Sequence, residues 1–282
     1  ANDLVAIDGH WSTARFYDMM NDSLNYAGLH GNGKSMNPVI FYGGMENFVN
    51  AFWDGDKAYF GQGDCHNGPL TTLTIVAHEF THGVTQYNSN LIYNGESGAL
   101  NESLSDVFGK ALDIYINKNN FSWDLGPDFS LSPFSELFRS FSDPNKVEHP
   151  KMYKGLYWED DADVHINSSV MNHWFYLLVE GGTGANEGVE YDVKKIDMTE
   201  LLKVVFLCQT SFLTPTSGYQ DMYEFSLLAC KQLYGAQSQN YASIKEAWKA
   251  VGLPFLQNTR PKYDLKFDVI NPEDFICTDN SF

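Results

Sequence analysis

Thr74-Ile75-Val76-Ala77-His78-Glu79-Phe80-Thr81-His82 sets two histidines four residues apart, with a glutamate directly after the first. On an α-helix that spacing puts the second imidazole one turn beyond the first and only about 40° around the axis from it. Two imidazoles stacked in this way can bind one Zn²⁺, and Glu79 on the adjoining edge can reach a water held by that ion. Leu73, Ile75, Val76 and Ala77 lead into the pattern and suit a buried helix.

A zinc ion that does chemistry takes three protein ligands and keeps a fourth position for water. A histidine at position 88, behind a glycine at 85, would be one way to complete the set, but Thr85 and Asn88 stand there. A carboxylate is the expected alternative. Glu102 lies 24 residues beyond His78 (102 − 78), in Gly98-Ala99-Leu100-Asn101-Glu102-Ser103-Leu104-Ser105-Asp106. Glu102 and Asp106 are again four apart, so one face of a second helix carries both. Glu102 is read as the third ligand. Asp106 is read as accepting the spare N–H of a ligand histidine, which fixes the tautomer and makes the ring a better donor.

Around this pattern the composition is that of a folded chain: 282 residues, 43% hydrophobic and 19% charged. At about 150 residues per domain, that length predicts one large or two modest domains. Lys+Arg 18 against Asp+Glu 36 gives a formal net charge of −18, which repels phosphate backbones and anionic lipid and argues against nucleic-acid or membrane partners. No stretch approaches the roughly 18 uninterrupted apolar residues of a membrane span. The start at Ala1 rather than Met suggests a processed product. Four cysteines, Cys65, Cys208, Cys230 and Cys277, follow no CxxC spacing. Cys208 and Cys230 fall on consecutive predicted helices and fit either a disulfide or two buried thiols.

Periodicity predicts an α+β organisation. A helix opens near Asp8 with Trp11, Ala14, Tyr17 and Leu24 on one side, and strands follow over 39–42 and 57–60. The stripe Leu100, Leu104, Val107, Phe108, Ala111, Leu112, Tyr115 marks a long helix. Further helices are predicted over 165–180, 199–212, 219–234 and 242–251, with Gly181 and Gly235 as terminal caps. Residues 119–163 read as long loops. His10, His30, His66, His149 and His173 have no partner at ligand spacing and read as surface or core residues. The expected division is 1–92, an α/β lobe with the histidine-bearing helix; 93–253, an all-helical lobe; and 254–282, an irregular extension.

With His78-Glu79-Phe80-Thr81-His82 followed by Leu91-Ile-Tyr93-Asn-Gly-Glu-Ser-Gly98-Ala-Leu-Asn101-Glu102-Ser-Leu-Ser-Asp106, the chain resembles the thermolysin-like family of zinc metallopeptidases. The similarity runs on through Asn50-Ala51-Phe52-Trp53, Arg139-Ser-Phe-Ser-Asp-Pro144, Val164-His165-Ile-Asn-Ser168 and Phe212-Leu-Thr-Pro-Thr-Ser217, and ends near Gly252. The resemblance implies a two-lobed fold with a cleft between the lobes, and a secreted zinc endopeptidase. It also implies a monomer made with its own propeptide and acting on protein or peptide substrates. Glu79 is then general base and acid, Tyr93 and His165 stabilise the oxyanion, and Asp160 orients His165, with Asp161 or Asp163 as substitutes. Asn50 and Ala51 pair with the substrate backbone, and Arg139 binds a substrate carbonyl. Leu70, Ile75 and Phe138 are pocket candidates on the leaving-group side, implying cleavage before bulky apolar residues.

Two departures from the family follow. Its opening β-region is missing, because Ala1 to Asp8 align with the start of its first long helix. Its usual calcium site, which needs an Asp four residues before the first histidine ligand, has Thr74 there instead. Lys110 and Asp113 on the second helix are expected to pair in place of the ion, while loop carboxylates over 119–130 could still hold calcium. Two alternative readings remain. A catalytically silent peptide-binding or adhesion module would usually have lost Glu79 or a zinc ligand, and none is lost. A zinc aminopeptidase needs an acidic anchor for the substrate amine, commonly in a Gly-rich motif, and no such motif precedes His78.

Overall fold

Helix α1 (Asn2–Leu24) starts six residues before the expected Asp8 (8 − 2) and turns a different face inward. Ser12, Phe16, Met19 and Met20 are buried, whereas Trp11 is 45% exposed and Leu4 and Ile7 face solvent. The expected stripe followed the aromatic rings; the core took the adaptable thioethers and one phenyl ring. The Ser12 hydroxyl donates to the Thr71 carbonyl at 3.1 Å, tying α1 to the segment that starts the next helix. A computed structural model describes residues 2–33, 35–43, 48–126 and 137–254. The expected extension over 255–282, with Cys277, and positions 127–130 of the loop considered for calcium lie outside these residues.

Three short strands follow, β1 (Pro38–Tyr42), β2 (Ala51–Trp53) and β3 (Ala58–Gly61), in the order β1-β3-β2. Central β3 runs parallel to β1 and antiparallel to β2, and its Ala58 and Phe60 are fully buried. This leaves β2 on the edge of the sheet, beside the helix pair α2 (Leu73–Tyr87) and α3 (Gly95–Asn117). Val76, Phe80 and Val84 of α2 and Leu100, Leu104, Val107, Phe108, Ala111 and Leu112 of α3 are buried, as the second helix's stripe predicts. The two backbones touch at Gly109, where any Cβ would stand 2.6 Å from the Thr74 carbonyl oxygen.

The second half of the chain is helical in its core: α4 (Val164–Asn167), α5 (Ser169–Glu180), α6 (Met198–Leu207), α7 (Tyr219–Tyr234) and α8 (Gln239–Ala250). Trp174 of α5 stacks on Trp248 of α8 with ring centroids 4.6 Å apart. The expected single helix over 165–180 is broken at Ser168, and α6 ends in a π-helical turn, Cys208–Phe212. Two ribbons decorate this lobe: β4 (Asp124–Leu125) with β5 (Arg139–Ser140), and β6 (Gly182–Asn186) with β7 (Val189–Val193). Strand β6 is glycine-rich and mostly exposed, so it carries no alternating apolar signal. Cys208 and Cys230 are unbonded buried thiols. Among the described residues no helix is long and apolar enough to cross a membrane.

Two buried polar groups stitch these layers together. The Lys110 side chain of α3 is 1% exposed, and its ammonium donates to Asp113 Oδ2 at 3.1 Å and to the Ser122 carbonyl at 2.5 Å. On α5, His173 Nδ1–H donates to the Phe141 carbonyl at 2.8 Å. Its Nε2 faces Asn186 Nδ2 at 3.1 Å, and that amide also reaches the Ala250 carbonyl. A carbonyl can only accept, so the proton sits on Nδ1 and Nε2 accepts.

Lys110→Met should lower stability by roughly 3 kcal/mol, because it strands a carboxylate and a carbonyl that lose their cation; the urea midpoint should fall with its slope unchanged. Burial pushes His173 down to about 4. An unfolded histidine titrates near 6.5, so between about pH 6.5 and 4 the unfolded chain takes a proton that the folded chain refuses. The stability from His173 is therefore complete above about pH 6.5 and lost as the pH falls towards 4. Urea melts at pH 7.5 and 5 should show a smaller drop in His173→Gln than in the wild type.

Candidate metal centre

His78 and His82 leave the same face of α2, with their rings edge to face and their centroids 4.7 Å apart. The two Nε2 atoms approach to 3.1 Å. Glu102, about two turns into the neighbouring α3, brings Oε2 to 3.4 Å from His78 Nε2 and Oε1 to 3.4 Å from His82 Nε2. These three side chains can each offer one ligand atom, and the atoms all lie within 4.8 Å of one another. The helix-face spacing predicted this convergence.

The other ring nitrogens decide which lone pairs are free. His78 Nδ1 meets Asp106 Oδ1 at 2.9 Å, and a carboxylate can only accept. His82 Nδ1 meets Asn101 Oδ1 at 2.9 Å; the Asn101 amide nitrogen is turned away to the Leu91 carbonyl, which leaves its oxygen facing the ring. Both Nδ1 atoms are thus protonated, and both Nε2 lone pairs point at one spot. Beside them Glu102 Oε2 is buried and accepts no hydrogen bond among the described residues. Two facing lone pairs and an orphaned buried carboxylate oxygen form an arrangement that a cation completes. Two imidazoles and a carboxylate are a donor set for catalytic zinc with one position left for water, so the residues fit that ion.

The electrostatics say the same. Burial opposes charge on both rings, but Glu102 and Asp106 overcome it at His78 and push its pKa up to about 10, while His82 falls to about 4. Burial works against the Asp106 carboxylate too, yet Arg139 and His78 hold it well below the usual range. The cluster therefore demands a positive charge at its centre. Glu79, adjoining His78, is pushed up to about 7, chiefly by burial.

Tyr93, on the segment leading into α3, donates its hydroxyl to Glu102 Oε1, and the Tyr93 hydroxyl oxygen also lies 3.3 Å from His165 Nε2, which stands 3.2 Å from Glu102 Oε2. Burial and Glu102 raise the phenol above its ordinary range, which keeps its proton in place. The carboxylate that meets the His165 ring is Asp163, whereas Asp160, the expected partner, makes no contact with it among the described residues. Asp163 caps α4, and its Oδ1 accepts from the His165 backbone N–H at 2.9 Å and faces the ring Nδ1 at 2.5 Å. Asp160 lies outside that turn, 74% exposed in its side chain, accepting from Trp158 Nε1 at 2.9 Å and facing Lys154. Arg139 on β5 clamps Asp106 with Nε on Oδ2 at 2.6 Å and Nη2 on Oδ1 at 2.7 Å.

A cavity of about 300 Å³ lies against His78 and Glu79, with Asn50, Ala51 and Arg139 in its lining. Leu70, Ile75 and Phe138 line it, together with Val49 from a loop and Leu125 from β4, whose sequence gives no sign of this role. A second cavity, about 460 Å³, lies on the far side of the same residues, against Phe52, Trp53, Gln86, Asn90 and Tyr93. A cleft thus runs past the centre in both directions. Asn101 stands inside the quoted motif one residue before Glu102, where its residue type alone does not signal the acceptor it gives His82.

The sequence model described as "Thermolysin metallopeptidase, catalytic domain" matches residues 1–86, and "Thermolysin metallopeptidase, alpha-helical domain" matches 89–253. Bacillolysin of Bacillus cereus is 34% identical over 260 residues, which is 90% of this chain and 44% of that protein. Thermolysin of Alicyclobacillus acidocaldarius is 34% identical over 256 residues, covering 89% and 46%, and neutral protease B of Bacillus subtilis is 35% identical over 257, covering 89% and 46%. The chain therefore spans about half the length of these relatives. The precursor of protealysin, a metalloproteinase from Serratia proteamaculans, shares the fold with a TM-score of 0.72 at 22% identity, over 88% of this chain and 78% of that one. Together the two matched domains account for nearly all of the described residues, and the chain belongs to the thermolysin family of metallopeptidases.

Proposed function

We propose that the chain is the catalytic unit of a secreted zinc endopeptidase, made as a longer precursor with a propeptide. The observation that carries this reading is the convergence of His78, His82 and Glu102 beside a buried Glu79, in the floor of a cleft open on both sides. Bound zinc would supply an acidified water and a polarised scissile carbonyl. Glu79 takes the proton of the attacking water and returns it to the leaving amine; a carboxyl near pKa 7 suits both halves of that task. Tyr93 Oη and His165 Nε2 address the developing oxyanion from neighbouring positions, with Asp163 fixing the imidazole.

The edge strand β2, with Asn50 immediately before it, offers Asn50 and Ala51 to an extended peptide as an added strand. Arg139, anchored on Asp106, presents its remaining N–H groups to a substrate carbonyl. The adjoining cavity then takes the side chain that follows the cleaved bond. Its walls of Leu70, Ile75, Leu125 and Phe138 favour a bulky apolar group there. We also infer that calcium is not bound between α2 and α3 near Thr74, since the Lys110 ammonium already neutralises Asp113 and donates a hydrogen bond to the Ser122 carbonyl. An anomalous-scattering peak for calcium between Thr74 and Asp113 would overturn that inference.

Cleavage of an unstructured protein should stop when zinc is chelated and return when it is restored. Glu79→Gln should keep the metal, measured by elemental analysis, while turnover falls by about 10²–10⁴. Near-normal turnover in that variant, or full activity without zinc, would refute the mechanism.

A further inference from the structure

Asp106 is buried, with 2% of its surface exposed. An ionised carboxylate offers about four acceptor sites on two oxygens. Four donors occupy them: His78 Nδ1 and Arg139 Nη2 on Oδ1, at 2.9 and 2.7 Å, and Arg139 Nε and Asn172 Nδ2 on Oδ2, at 2.6 and 2.7 Å. His78 is a metal ligand and Arg139 faces the cleft. The fourth donor, Asn172 of α5, touches neither metal nor cleft and is fully buried. Its other atom, Oδ1, accepts from the Ser103 hydroxyl at 2.7 Å. A hydroxyl donating on one side and a carboxylate accepting on the other leave the amide one orientation, with NH₂ towards Asp106.

We infer that Asn172, locked by Ser103, is a positioning residue of the metal centre, holding the Asp106 carboxylate in the one rotation that serves His78 and Arg139 together. The inference rests on the zinc reading of the site. With Asn172 in place, each Asp106 oxygen carries two donors, and rotation in either direction breaks at least one bond. Without it, Oδ2 keeps only the guanidinium. The carboxylate can then pivot about its two-point grip on Arg139 and slacken its bond to His78 Nδ1, the bond that keeps the His78 Nε2 lone pair aimed at the ion. The Ser103-Asn172-Asp106-His78 chain thus carries order from α5, through α3, to a ligand on α2.

The test is zinc affinity, measured on the whole chain by competition with a chromophoric chelator. Asn172→Leu keeps the volume and removes the amide; zinc should bind at least about tenfold more weakly, the loss typical of a broken contact behind a metal ligand. Leu178→Ala, a core truncation six residues along the same helix (178 − 172), controls for stability, since Leu178 is fully buried and has no link to Asp106. It should melt lower yet hold zinc as tightly as the wild type. Asn172→Leu binding zinc within twofold of the wild type, or no more weakly than Leu178→Ala, would overturn the inference. Should Asn172→Leu fail to fold, Ser103→Ala decides: loosening the amide should weaken zinc binding measurably, and unchanged affinity would refute the lock. A wild-type chain that binds no zinc at all would instead sink the metal reading itself, a separate outcome.

Discussion

The contact between Gly109 and the backbone of Thr74 governs the rest of the structure. Ligands for one ion come from two helices, and an imidazole and a carboxylate reach only a few ångströms from their own axes. The helices must therefore lie side by side at nearly the smallest possible separation. A residue with a side chain at position 109 would meet a peptide oxygen at 2.6 Å and wedge α3 away from α2. Glu102 sits almost two turns before that contact and His78 one turn beyond Thr74, so any splay at the crossing is felt directly at the centre. The apolar stripes of both helices keep the seam closed, and the sheet and α1 hold α2 from its other side.

That tight seam explains the concentration of buried charge. Glu79, Glu102, Asp106 and Lys110 all lie in or beside it with at most 6% of their surface exposed, and each needs a partner or a shifted protonation state to be tolerated there. Lys110 and Asp113 satisfy each other at one end. At the other end the carboxylates outnumber the fixed cations, Arg139 being the single permanent positive charge among the side chains described there. The imbalance is local and specific, unlike the diffuse negative charge of the surface, and it is where a divalent ion belongs.

The centre was legible in the sequence because helical spacing converts directly into geometry. His78 with His82, and Glu102 with Asp106, are four apart, so each pair had to share a face. Lys110 and Asp113, three apart on the same helix, were legible for the same reason. What was not legible depended on local turns or distant packing. Asp160, Asp161 and Asp163 are chemically equivalent in a string, and only the capping turn at α4 selects Asp163. Asn101 is a polar residue on a helix until the fold shows which acceptor His82 lacks. The inward face of α1 went to Phe16, which stacks on Phe80, and to Met19 and Met20 rather than Trp11, a choice that helical periodicity alone does not make. The β6–β7 ribbon is too exposed to leave a periodic trace.

One carboxylate, Asp106, steadies both the imidazole that grips the ion and the guanidinium that faces the peptide groove. Two binding events that lean on a common support cannot be energetically independent, and thermodynamic reciprocity makes the influence equal in both directions. If the groove takes a peptide and the centre an ion, as proposed, a filled groove should tighten the hold on the ion, and an empty one should leave the ion easier to strip.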